Sequence, residues 1–434
     1  MNTKNLKFLL IFVLSLFLTI NYLNISAWAS TPTPPDLNSD GVVLMNANTG
    51  QIIYSKNPDT KYYPASTTKV LTALVVLENT KLTDMVTVGK NPPFVDGTKI
   101  GLREGETYTV RELLTGLILE SGNDCAEVLA EHISGSNEAF AKLMNERAKD
   151  IGATNSNFKN PSGLPDDEHY TTPRDLALIM KEAIKNKDFM DISTQSTLTM
   201  AESSIDGAKR VLNNHNYILS KNSRYYYPYS ICAKKGYTDV ARFTNVISAT
   251  KNGTTYVASF LKGDGISQVY SDVAKIFDYG FDNFETKKIY SEGDTAGYFY
   301  VNSDTKLPLL VGEDVYYTVP IGSNDTVNST INFTPPTEFS NKSVTRGEVI
   351  TKASVSIDGK DYATIDLVSG ENHDYTPLLS SNSNEFLNDN KYIIALIIAI
   401  FILLLGRIYW VKKRREIRRR NYIKKLKRNN QLRN

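Results

Sequence analysis

The chain has 434 residues, 41% hydrophobic and 22% charged, with a formal net charge of +2. That length and ordinary globular composition suggest two to three domains with ample material for a core. The charge is unevenly placed. From Arg407 onward 13 basic residues stand against Glu416 alone, +12, and Lys4 and Lys7 add +2 at the other end, leaving −12 on the body. An acidic body with a basic tail is not the pattern of a nucleic-acid binder, whose basic footprint lies on the folded domain.

Lys4 and Lys7 precede an apolar run over 8–20 that is short for a membrane span, and Ala27-Trp28-Ala29 supplies a small-x-small cleavage pattern. Residues 1–29 therefore read as a secretory signal, followed by a Pro-rich linker over 30–40. Runs 41–46 and 51–54 flank Asn48-Thr49-Gly50, a hairpin signal. Apolar spacing through Val70, Leu74, Val75 and Leu77 predicts a helix over 66–79, with Ser66 at its start and Lys69 one turn on, on the same face.

Further helices are expected over 110–119, 125–133, 138–149 and 173–185, the last with Thr172 as N-cap and Pro173 in its first turn. Ser121-Gly122-Asn123 falls in the loop between the first two. Strands are expected over 231–235, 243–249 and 254–261, the last two joined at Asn252-Gly253, and a helix over 267–277. Helices before and after antiparallel strands imply an α+β domain over 41–284.

From 285 to 372 the pattern changes to short alternating runs such as 297–301, 315–319 and 353–357, separated by turn formers, which suggests a small β-sandwich. A polar linker over 373–390 leads to an apolar stretch over 391–411 whose internal charge is Arg407. About 20 residues at 1.5 Å each match a bilayer core of about 30 Å. The basic segment 412–434 puts that end in the cytoplasm and the folded body outside. Cys125 and Cys232 form no disulfide framework, though a bridge between them stays open, and no Cys/His cluster has metal spacing, so no metal or cofactor is expected.

Three strings carry the chemistry: Ser66-Thr67-Thr68-Lys69, Ser121-Gly122-Asn123 and Lys234-Lys235-Gly236. Each alone is weak. Together they hold groups that could serve a serine in acyl transfer. A serine hydroxyl needs a base, and Lys69 becomes one if burial and the nearby cation Lys234 lower its pKa. Ser121 is placed to relay a proton, Asn123 to hold a peptide, and the N–H groups of Ser66 and Tyr237 to bind an oxyanion. His132, His169, His215 and His373 have no part in this chemistry, and His169 reads as structural.

These strings resemble the S-x-x-K, S-x-N and K-T-G triplet of penicillin-binding proteins and serine β-lactamases. Over about 35–368 the chain resembles the low-molecular-mass penicillin-binding proteins that are serine D-Ala-D-Ala carboxypeptidases. Pro64-Ala65, Asn160-Pro161-Ser162-Gly163-Leu164-Pro165, His169-Tyr170-Thr171-Thr172, Arg346-Gly347-Glu348 and Ile365-Asp366-Leu367-Val368 extend the likeness. The resemblance implies a transpeptidase-like α+β domain, a β-rich domain and a membrane anchor. It further implies acylation of Ser66 by the D-Ala-D-Ala end of a peptidoglycan stem peptide, and by β-lactam antibiotics. Lys235 departs from the family, where a hydroxyl residue binds the substrate's terminal carboxylate. Two alternatives stay open: a catalytically impaired penicillin- or peptidoglycan-binding protein, and a β-lactamase.

Overall fold

The computed structural model describes residues 32–302, 305–323, 327–335, 342–375 and 390–431. The expected signal segment, 1–29, and most of the linker 373–390 lie outside them. The chain divides into two compact units, one of residues up to Tyr290 with Val315–Val327, the other of Ser291–Asp314 with residues from Asn328 onward.

In chain order the first unit contains β1 (Gly41–Asn46), β2 (Ile52–Lys56), a 3-10 turn (Ala65–Thr68) running into α1 (Lys69–Asn79), β3 (Met85–Thr87) and β4 (Thr107–Thr109). Next come α2 (Val110–Thr115), a π-helical turn (Gly116–Glu120), α3 (Asn123–Ser134), α4 (Asn137–Asp150), α5 (Pro173–Ala183) and α6 (Lys187–Ser193). The small strands β5 (Thr197–Thr199) and β6 (Val211–Asn213) precede the long strands β7 (Ser230–Thr238), β8 (Arg242–Lys251) and β9 (Thr254–Gly263), then α7 (Ile266–Asn283). The central antiparallel sheet has the order β2-β1-β9-β8-β7, so β7 is an edge strand.

Period-two alternation explains how this sheet serves two cores at once. Val43, Met45, Cys232, Val246 and Val257 belong to the core shared with α1–α6. Their neighbours Val42, Leu44, Ala233, Ile247 and Ala258 pack with Val273, Ile276 and Phe277 of α7. Lys234 therefore projects to the α1–α6 side and Lys235 to the α7 side. Thr172 caps α5 by accepting from Asp175 N–H at 3.1 Å, with Pro173 in its first turn.

The expected helix over 110–119 forms as α2 followed by the π turn rather than as one regular helix. That turn widens the backbone so that it ends at Ser121 with φ +64°. The second unit is β-rich. The strands β10 (Phe284–Tyr290) and β13 (Val315–Pro320) pair with each other inside the first unit. Between and after them, β11 (Thr295–Tyr300), β12 (Lys306–Val311), β14 (Ser329–Asn332), β15 (Val349–Ile357) and β16 (Lys360–Ser369) form an antiparallel sheet of order β11-β12-β16-β15-β14.

A single helix, α8 (Lys391–Gln431), ends the described chain. It is long and apolar enough over part of its length to cross a membrane, with a mean hydropathy of 2.6 and no burial in that window. Helicity continues past 411 through the basic residues because Lys and Arg are good helix formers.

The N-terminal entry to the first sheet hangs on one buried carboxylate. Asp272 of α7 accepts from Asn38 N–H and Nδ2 at 3.1 and 2.9 Å, and from Ser39 N–H and Oγ at 2.8 and 3.0 Å. Asp272→Ala strands these donors. It is expected to lower the unfolding free energy by about 3 kcal/mol in a urea titration.

Candidate active site

Lys69 opens α1 and is fully buried, and its ammonium meets three oxygens. Nζ lies 2.9 Å from Ser66 Oγ, 2.7 Å from Asn123 Oδ1 and 2.7 Å from the Ser162 carbonyl. Burial lowers the amine from 10.5 to about 7. Desolvation is the largest cause, Cys125 and Asp124 act the other way, and the repulsion between Lys69 and Lys234 disfavours both carrying a charge. Lys234, also buried, is pulled well below its usual value by desolvation first, then by the Lys69 and Lys235 charges.

Asn123 is locked by donating Nδ2 to the Asp96 carbonyl at 2.6 Å and N–H to Thr98 at 2.7 Å, which turns Oδ1 toward Lys69. The Ser162 carbonyl is delivered by the 160–164 loop, where Asn160 Oδ1 accepts from the N–H groups of residues 162, 163 and 164. Thr72 Oγ1 donates to the Pro161 carbonyl at 2.6 Å, so successive turns of α1 hold the same loop. Gly163 has φ +87°, and a Cβ there would lie 1.9 Å from the Ala65 carbonyl oxygen.

On the opposite wall, Lys234 Nζ donates to Ser121 Oγ and to the Lys235 carbonyl, both at 3.0 Å. Gly236 lets β7 approach the serine turn: a Cβ there would come within 2.7 Å of Ser66 N and 2.5 Å of Thr244 Oγ1. Thr244 Oγ1 in turn donates to the Pro64 carbonyl at 2.9 Å, fastening that turn to β8. The Lys235 N–H points off the sheet edge to Asn216 Oδ1 at 3.2 Å. Tyr237, two residues on, directs its own N–H to the same open edge by strand periodicity. A cavity of about 340 Å³ opens here, lined by Ser66, Ser121, Lys234, Gly236 and Tyr237 among others.

The chain is similar to known proteins. The family model for D-alanyl-D-alanine carboxypeptidase matches residues 28–264, more than half of the chain. The chain belongs to that family. The model for the penicillin-binding protein 5 C-terminal domain matches residues 284–375. The D-alanyl-D-alanine carboxypeptidase DacA of Haemophilus influenzae is 31% identical over 352 residues, 77% of this chain and 85% of its own length. DacF of Bacillus subtilis is 33% identical over 259 residues, and the match spans 58% of this chain and 65% of that relative. The crystal structure of penicillin binding protein 5 from Haemophilus influenzae superposes with a TM-score of 0.64 at 29% identity, over 79% of this chain and 99% of its own.

In this carboxypeptidase all eight residues expected from the three strings gather around one cavity or its immediate wall. Other groups at the site were not singled out from the sequence: the Ser162 carbonyl, Thr244 and Asn216. His169 is buried and lowered to about 4 by desolvation. Its Nδ1 accepts from Lys159 N–H at 3.2 Å, so Nε2 carries the hydrogen toward Thr68 Oγ1 at 3.0 Å. Cys125 and Cys232 are both free and buried, and burial pushes the Cys232 thiol up to about 12. Gly236→Ala is expected to slow labelling of Ser66 by a fluorescent penicillin at least about 100-fold, with the circular dichroism spectrum preserved.

Proposed function

We propose that this carboxypeptidase removes the terminal D-Ala of peptidoglycan stem peptides through an acyl-enzyme on Ser66. The observation that carries this is the Lys69 amine, 2.9 Å from Ser66 Oγ and lowered to about 7. Once neutral it has two N–H bonds and one lone pair. Asn123 Oδ1 and the Ser162 carbonyl can only accept, so they take both N–H bonds, and the lone pair is left for the Ser66 hydroxyl hydrogen.

Ser66 Oγ then attacks the scissile carbonyl while its proton passes to Lys69 Nζ. The developing oxyanion is held by the N–H groups of Ser66 and Tyr237, where losing one donor typically costs about 3 kcal/mol. Ser121, hydrogen-bonded to Lys234, hands its proton to the departing D-Ala amine as the C–N bond breaks and recovers one from Lys69, so the Ser66 proton ends on the leaving group and Lys69 is neutral again. Water, deprotonated at Lys69, attacks the ester and frees the shortened peptide with Ser66 restored. A β-lactam acylates the same serine and clears slowly. Lys234, Lys235, Gly236 and Asn123 line the substrate.

Lys235 does not obstruct this centre. It projects to the α7 side of the sheet, where its ammonium lies 4.5 Å over the Tyr217 ring. That placement supports turnover over the impaired-enzyme alternative. The same proposal has α8 crossing the cell membrane once, the catalytic unit outside and the basic end in the cytoplasm, as the positive-inside bias requires.

Full-length protein in detergent micelles is expected to release D-alanine from a stem pentapeptide, and Ser66→Ala to release none. Retained release by Ser66→Ala would sink the proposal. Because the base must be unprotonated, the acylation rate below about pH 7 is expected to rise about tenfold per pH unit and to level off above, read by stopped-flow with a chromogenic β-lactam.

A further inference from the structure

The backbone that carries Ser121 is held by a neighbouring carboxylate. Glu120 closes the π turn, and Ser121 follows it at φ +64°. Glu120 Oε1 accepts from Asn213 N–H at 2.6 Å, and Glu120 Oε2 lies 2.8 Å from His215 Nε2. A carboxylate only accepts, so His215 Nε2 carries the hydrogen. His215 N–H in turn donates to the Leu119 carbonyl at 3.3 Å. Residues 213–215 thus hold residues 119–120 at three points, two of them on the Glu120 carboxylate.

The same loop reaches the facing wall. Asn216 Oδ1 accepts from the Lys235 N–H of β7 at 3.2 Å, and Asn214 Oδ1 accepts from Asn216 N–H at 2.9 Å. Asn214 Nδ2 donates to the carbonyls of Ser193 and Gln195 at 3.0 and 2.9 Å, which fixes the loop to the end of α6. Residues 213–216 therefore bridge the π turn and β7, the two walls that meet where Ser121 Oγ accepts from Lys234 Nζ at 3.0 Å. A shift of either wall by about 0.6 Å takes that contact out of hydrogen-bond range.

We propose that Glu120 and His215 are positioning residues that set Ser121 against Lys234 for protonation of the leaving amine. The proposal rests on the Ser66 acyl-enzyme reading. His215 braces the relay and takes no proton in it: Ser121 gives up its own proton and regains one from Lys69. A hydroxyl misplaced by about 1 Å loses the geometry that this transfer needs. The effect is confined to leaving groups that require a proton. An amide nitrogen departs only as an amine, whereas a thiolate, whose acid has a pKa of about 8.5, leaves unaided. The His215 side chain is 44% exposed, so removing it leaves the core intact.

The test compares a stem pentapeptide with the same peptide whose last amide is replaced by a thioester, on full-length protein in micelles. Glu120→Ala is expected to lower kcat/KM on the amide about 100-fold, with KM within about threefold, and to leave the thioester within about threefold. Glu120→Gln still accepts from Asn213 N–H and, after a tautomer change at His215, keeps the second hydrogen bond, so it retains the wild-type amide-to-thioester ratio. His215→Ala removes one of the two carboxylate contacts. It is expected to lower that ratio about tenfold and serves if Glu120→Ala misfolds. A folded Glu120→Ala or His215→Ala enzyme with the wild-type ratio, or with equal losses on both substrates, overturns the proposal while the Ser66 mechanism stands. A Glu120→Gln enzyme that loses the ratio also overturns it, because the carboxylate's charge and not its bracing then governs the step. Wild-type protein that cleaves neither substrate overturns both readings.

Discussion

The structure depends on burying one lysine. A drop of Lys69 from 10.5 to about 7 corresponds to a penalty on the order of 5 kcal/mol against its charged form. Such a residue persists only where the surroundings over-determine it. Here α1 supplies the lysine and the serine turn before it, α3 the Asn123 amide, and the 160–164 loop a carbonyl. Each element has its own lock: Asp96 and Thr98 for Asn123, Asn160 and Thr72 for the loop. Those locks allow a neutral amine with a directed lone pair to persist in place of a hydrated ammonium.

Two adjacent lysines on one strand look like a conflict of like charges, and strand geometry resolves most of it. Lys234 points to the α1–α6 side, where Ser121 Oγ and the Lys235 carbonyl accept from it. Lys235 points to the α7 side, where an aromatic ring receives it. The remaining repulsion falls on Lys234, and the Lys235 charge is the smallest of the three effects that lower it.

The hydrophobic pattern makes much of this legible in the sequence. Period 3.6 put Ser66 and Lys69 on one face of a helix entry, and Thr172-Pro173 marked the start of α5. Asn252-Gly253 marked the β8–β9 turn, with both residues at positive φ. What escaped has physical reasons. A backbone carbonyl such as that of Ser162 has no identity in sequence, because any residue supplies one. The π turn before Ser121 differs from an α-helix by one hydrogen-bond step, and no residue type announces it. Three-residue strands such as β3 and β5 are too short for alternation to register. Asn216 and Tyr217 lie in a polar loop whose contacts with Lys235 arise only when β7 is beside it.

Strain in this chain collects where the chemistry is. Ala65, just before the serine, has φ +48°, and Ser121 has φ +64°, conformations that cost residues with a Cβ on the order of 1–2 kcal/mol each. Glycines pack against the serine turn from two sides, Gly163 against the Ala65 carbonyl and Gly236 against Ser66 N, and neither position has room for a Cβ. Backbone is thereby brought closer to the nucleophile than side chains would permit. The two-sided core of the central sheet holds these contacts, because displacing β7 to relax the turn would uncover Cys232 on one face and Ala233 on the other. Stability drawn from ordinary apolar burial thus maintains a site that is locally unfavourable and holds the Ser66 turn against β7.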